Sequence, residues 1–108
     1  LIMGLAFKEN CPDIRNTRVV DLVKEFKSFN CNVDVYDPWV IKEEALEEYN
    51  IELINKPKTD NYDAILLSVA HQEFKQLSLE QINIFGKKNY VLYDIKYLLD
   101  ADAVDGRL

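Results

Sequence analysis

Apolar and polar residues alternate between two rhythms along this chain. Leu1 to Phe7 is a nearly unbroken apolar run, the pattern of a buried strand. A polar stretch from Lys8 to Arg15 follows, broken by Cys11-Pro12-Asp13. Val19, Val20, Leu22, Val23, Phe26 and Phe29 then recur at helical spacing, which predicts a helix lying on a sheet with Phe26 and Phe29 in the core. Asn16 or Thr17 suits its cap and Asn30 its exit. Asn32 to Tyr36 alternates like a short strand and stops at the turn dipeptide Asp37-Pro38. Tyr36 and Trp39 are read as packing around that turn.

A second, acidic helix is predicted from about Ile41 to Tyr49, with Glu43, Glu44, Glu47 and Glu48 as its solvated face. The short apolar stretch Ile51–Ile54 counts as a third strand, and residues 56–61 as loop. Ala64 to Val69 is continuously apolar, as for a strand buried on both faces, and His71 follows at once. A helical segment near Ser78 to Phe85 leads through Gly86 to a last strand, Tyr90–Tyr93, then to a ragged tail. Strands alternating with helices predict one α/β domain: a mostly parallel sheet of about five strands flanked by helices in three layers.

Ligands of open parallel sheets bind at the carboxyl ends of the strands. This chain puts Phe7 and Lys8 after its first strand, Asp37 after its second, His71 after its fourth, and Asp94 and Lys96 after its last. Lysines in two of those positions, in a protein of net charge −6, suggest an anionic ligand. Arg15 and Arg18 add to the suggestion, because cations near a helix start cost about 0.3–1 kcal/mol each. Two readings stay open for them: an anion held at the helix start, or pairing with Asp13 or Glu9.

Composition narrows the classes. The 108 residues fit one domain, and the acidic balance argues against a nucleic-acid partner. No apolar run reaches the ~20 residues of a membrane span, and the cytoplasm is the expected compartment. A chain opening inside a core strand, with no initiator methionine, reads as a fragment of a longer protein. Cys11 and Cys31 fall at opposite ends of the first helix, roughly 20 Å apart at ~1.5 Å per residue, and are expected to stay reduced. None of the three glycines forms G-x-G-x-x-G, so the domain is not a standard dinucleotide-binding half. A phosphorelay receiver needs an acidic pair after the first strand, where Phe7-Lys8 stands. His71 reads as a strand-end hydrogen bonder in preference to a general base.

Gly4-Leu5-Ala6-Phe7-Lys8-Glu9-Asn10-Cys11-Pro12-Asp13-Ile14-Arg15-Asn16-Thr17 resembles the G-x-x-F-K-x-x-x-x-D-x-R-x-[ST] signature of the UDP-glucose/GDP-mannose dehydrogenase family. Val35-Tyr36-Asp37-Pro38, Tyr62-Asp63-Ala64-Ile65, Val69-Ala70-His71, Asp94-Ile95-Lys96 and Asp105-Gly106-Arg107-Leu108 are similar to later segments of the same family. The form of the first motif looks most like bacterial UDP-N-acetylhexosamine dehydrogenases of capsule and O-antigen synthesis. The resemblance implies a Rossmann-like C-terminal domain that grips a UDP-sugar while its primary alcohol is oxidised twice, with NAD. It also implies that the catalytic cysteine lies upstream in N-terminal and central domains, which removes Cys11 as a nucleophile. By position, Phe7 and Lys8 would contact the UDP-sugar and Arg15 the NAD side. Several relatives carry Asp-Gly-Arg after the last strand where this chain has Asp94-Ile95-Lys96, so Lys96 and Arg107 are the two further substrate candidates. The whole enzyme would be a homo-oligomer and this piece a monomer. The rival reading is a stand-alone nucleotide-binding or regulatory module without chemistry.

Overall fold

A computed structural model describes residues 1–107, with the backbone alone at Arg107. Its sheet has five strands, all parallel, in the order β2-β1-β3-β4-β5. They span Ile2–Met3 (β1), Val35–Tyr36 (β2), Tyr62–Leu67 (β3), Gly86–Asp94 (β4) and Gly106–Arg107 (β5). The helices are Val19–Ser28 (α1), Lys42–Tyr49 (α2), Gln72–Lys75 (α3) and Leu79–Asn83 (α4). The sequence direction reverses between β1 and β3, so the crevice at their carboxyl ends is the topological switch point.

Alternation along the strands splits the core in two. Ile2, Val35 and Val69 face α1 and α2, where Val19, Val20, Val23 and Ala45 complete one cluster. Met3, Ile65, Leu67 and Leu92 face the other way, against Phe74 of α3 and Ile82 of α4. Each fully buried side chain of this size contributes roughly 1.5–3 kcal/mol. Helices thus cover both faces, as the three-layer expectation required.

Several local expectations need correction. Ile51–Ile54, expected as the third strand, makes only an isolated bridge from Leu53 to Val35. The sheet's fifth strand is Gly106–Arg107 instead, in the tail read as ragged, pairing with Tyr93 and Asp94. Asp105 makes that pairing possible: its carboxylate accepts the Leu92 amide at 2.7 Å and its own amide donates to Leu92 O at 2.8 Å. Gly106 is needed beside it, since a Cβ there would meet the Tyr93 ring at 2.5 Å. Leu108 lies outside the described residues.

Phe29 is not core. It is the C-cap residue of α1, beyond the last turn that touches the sheet, and is 71% exposed; Phe26 packs as expected. Asn30 ends the helix at φ 65°, with its amide on Lys27 O and the Cys31 amide on Phe26 O. At the other end the cap position falls on Arg18, with no side-chain cap. Thr17 acts one residue earlier: its hydroxyl accepts the Val19 amide and donates to Leu5 O at 2.7 Å, tying α1 to the end of β1. Cys11 and Cys31 are both free thiols.

Candidate functional site

A cleft of about 1040 Å³ opens on the α1 side of the sheet. Its walls are the loop after β1 (Ala6 to Glu9), the start of α1, and the segment after β4 (Ile95, Lys96). Its floor is the sheet beside α1, where Leu66 and Val69 pass into Val91 and Tyr93. Val91 is 48% exposed there, although it sits mid-strand. The structure therefore brings Phe7, Lys8 and Lys96 together, three residues expected to meet a substrate. Arg18 joins them, loosely paired to Asp21 at 3.6 Å and almost fully exposed.

Arg107 reaches the same edge by backbone, since its Cα is in register with Asp94; its side chain lies outside the described residues. Arg15 is not in this cleft. Asp13 grips its guanidinium with two bonds of 3.0 and 3.1 Å, and that hydrogen-bonded pairing raises the arginine's affinity for its proton and lowers the carboxylate's. The pairing alternative raised from sequence is the one observed for Arg15, although the side chain stays 83% exposed.

The loop that presents Phe7 and Lys8 is firmly built. Gly4 sits at φ +113°, and a Cβ on it would come 2.6 Å from Val69 Cβ, so only glycine lets β1 end against β3 here. Asp37, at the end of β2, accepts the Leu5 and Ala6 amides on Oδ2 at 2.7 and 2.9 Å, and the Trp39 amide on Oδ1. His71 Nε2 donates to the same Oδ2 at 2.9 Å, with both side chains fully buried. Burial alone pushes the Asp37 carboxyl upward. Donation from His71, Ala6 and Leu5 outweighs it and holds the group below the ordinary carboxylate value. His71 Nδ1 in turn accepts the Asn10 amide at 2.9 Å, and Asn10 Oδ1 accepts the Gln72 amide. Trp39 stacks on the imidazole and donates its indole N–H to Glu73.

The second lysine loop is simpler. Asp94, also buried, accepts the Lys96 amide at 3.1 Å and the Leu99 amide at 2.8 Å. Sequence reading placed both lysines by the strand-end rule but missed what fixes them. It also missed that the apolar floor is open. A second cleft of about 660 Å³ lies at the opposite end of the sheet, among Asp34, Lys58, Asp63 and Lys87. Its charges neutralise one another, Lys58 with Asp34 and Lys87 with Asp63.

The model of the UDP-glucose/GDP-mannose dehydrogenase family, UDP binding domain, matches residues 1–101. The chain belongs to this family. It is 54% identical to a UDP-N-acetyl-D-glucosamine 6-dehydrogenase of Salmonella typhi and 56% identical to one of Pseudomonas aeruginosa, over its whole length. It spans about a quarter of the length of those relatives. A solved UDP-N-acetyl-mannosamine dehydrogenase from S. aureus shares the fold at a TM-score of 0.72 and 22% identity, over 98% of this chain and 24% of that one.

This UDP binding domain does not itself fit the pyrophosphate of a dinucleotide. The turn after β1 holds one glycine, Gly4, packed against Val69, with its amide on Tyr36 O and its carbonyl accepting the Ser68 hydroxyl. No step through NAD is therefore assigned to its residues. Among the described residues no helix is long and apolar enough to cross a membrane.

Proposed function

We propose that this chain is the UDP-sugar-binding and closing part of an NAD-dependent UDP-sugar 6-dehydrogenase. The substrate is a UDP-N-acetylhexosamine or UDP-glucose, whose C6 alcohol becomes a uronate for capsule or O-antigen polysaccharide. The observation that carries the reading is the convergence of Lys8 and Lys96 on one cleft, with Arg18 at its side and an apolar floor beneath. Two ammonium groups suit the diphosphate, while Phe7 and the floor suit the flat or aliphatic parts of the nucleotide-sugar. Arg107, whose backbone pairs with Asp94 at the same edge, is the further substrate candidate that the family resemblance names.

Arg15, which the family resemblance puts on the NAD side, is exposed and paired to Asp13 outside the cleft, and carries no part of this proposal. NAD accepts the hydride in the whole enzyme, and its principal site and the catalytic cysteine belong to the remaining three-quarters of that enzyme. The assembly is cytoplasmic and homo-oligomeric in this reading, and the separated chain is monomeric.

Two assays decide it. The whole gene product, given NAD and UDP-N-acetylglucosamine, is expected to form two NADH per sugar, while the 108-residue chain forms none. Calorimetry of UDP into that chain is expected to show weak binding, about 0.1–1 mM, weakened about tenfold in Lys8→Ala. UDP binding with no dehydrogenase activity in the whole product identifies a regulatory module instead. Neither binding nor activity sinks both readings.

A further inference from the structure

Between the two anchor points of the loop after β1 lie Phe7, Lys8 and Glu9. Upstream, the Leu5 and Ala6 amides end on Asp37 Oδ2; downstream, the Asn10 amide ends on His71 Nδ1. Asp37 and His71 are themselves joined at 2.9 Å, so both ends of the loop hang from one buried pair. Asn10 holds φ +53°, which turns the chain sharply at the downstream anchor, and its side chain fixes the first amide of α3. The pair unites the ends of three strands: β2 supplies Asp37, β3 leads to His71, and β1 leads into the loop itself.

The hydrogen bonds also define the imidazole chemically. Nδ1 receives an amide N–H and so carries no proton, while Nε2 faces a carboxylate oxygen and carries the one proton of a neutral ring. Both nitrogens are occupied, and the side chain is fully buried. Such a ring cannot take a substrate proton without surrendering the loop, which removes it from acid–base chemistry and leaves it a mechanical task.

We infer that His71 is a positioning residue for the nucleotide-sugar: clamped by Asp37 as the Nε2–H tautomer, it holds Asn10 and so fixes the conformation in which Phe7 and Lys8 face the cleft. This rests on the reading that the cleft takes the nucleotide. Lys8 is exposed and long, so the entropy of ordering it falls on binding unless its backbone is already fixed. The tether supplies that fixity together with the Phe7 amide, which donates to Asp13 O at 2.7 Å.

The test compares His71→Leu, which keeps the bulk and loses both bonds, with His71→Gln, whose amide offers one donor and one acceptor at similar separation. UDP affinity is measured by calorimetry, and amide exchange is followed at Phe7, Lys8 and Asn10. The Gln81 amide, held in the capping box by Ser78, reports whether the fold survives. His71→Leu is expected to weaken UDP binding about tenfold and to speed Asn10 exchange by at least as much, with Gln81 still protected. His71→Gln is expected to recover most of both. The native ring should give one protonated and one unprotonated nitrogen signal, with the proton on Nε2.

Native UDP affinity in His71→Leu, with Gln81 protected, overturns the positioning role and leaves a purely structural one. Equal loss in His71→Gln and His71→Leu also overturns it, because the hydrogen bonds would then not be what matters. If the native chain binds no UDP and the whole gene product shows no dehydrogenase activity, the functional proposal falls separately. The tether is then judged by exchange alone, and equal exchange at Asn10 in native and His71→Leu chains defeats it.

Discussion

Lys8 and Lys96 reach one cleft from two loops that buried aspartates hold, yet the holdings differ in kind. Asp94 works locally: it accepts two amides of the loop that immediately follows it. Asp37 works across the sheet, collecting amides from the end of β1 and from its own turn, and an imidazole from beyond β3. A local cap fixes a turn but leaves its outer residues to their own entropy. A long-range clamp fixes the loop relative to the rest of the sheet. Lys8 should accordingly be a pre-positioned contact and Lys96 an adaptable one, and substitutions should separate the two.

Gly4→Ala, at the root of the clamped loop, is expected to have the largest effect. It combines a φ that alanine rarely adopts with a Cβ 2.6 Å from Val69, and should cost about 3 kcal/mol or more in urea unfolding. Next comes Asp37→Asn, at about 2–3 kcal/mol, because a charge-assisted hub loses its strength while its donors stay buried. The folded pKa of Asp37 is depressed, so its contribution is fully present above the unfolded value near 4 and lost as pH falls through the lower folded value. Urea midpoints of native and Asp37→Asn chains should therefore converge in strong acid. Convergence near neutral pH would contradict the clamp.

Asp94→Asn should cost only about 1 kcal/mol, since one amide oxygen can still accept from the local turn. A loss as large as that of Asp37→Asn would erase the distinction between clamp and cap. In binding, Lys8→Ala should weaken UDP about tenfold and Lys96→Ala about threefold, both read by calorimetry. Arg15→Ala should change neither UDP affinity nor the urea midpoint, since its pair with Asp13 stands in open solvent outside the cleft.

The same contrast explains what the sequence could disclose. Apolar runs placed β1, β3 and β4, and the helical stripe placed α1, because each pattern is local. Lys8 and Lys96 followed from their positions just past strand ends. β5 was hidden, since two residues, a glycine and an arginine, carry no apolar pattern; Asp105 and the room beside Tyr93 create that strand. α3 escaped because four residues give no periodicity. Ile51–Ile54 had the composition of a strand but only one bridge to the sheet edge. Phe29 fitted the helical stripe, yet the helix ended before that position could reach the sheet.

The Asp37–His71 pair was visible only as two separate strand-end residues, 34 positions apart. Strand order is what makes them neighbours, and strand order was not derivable from spacing. The Arg15 pairing, by contrast, was legible as an alternative because Asp13 lies two residues away. Long-range partnerships were thus the part that required the fold.

The central claim is that the cleft between Lys8 and Lys96 receives the nucleotide. Amide and side-chain signals of the 108-residue chain, followed by NMR while UDP is added, test it most directly. The account predicts shifts at Phe7, Lys8, Ser68 and Lys96, saturating together, with Asp34, Lys58 and Lys87 at the opposite cleft unmoved. Shifts confined to that opposite cleft, or none anywhere at saturating UDP, would contradict it.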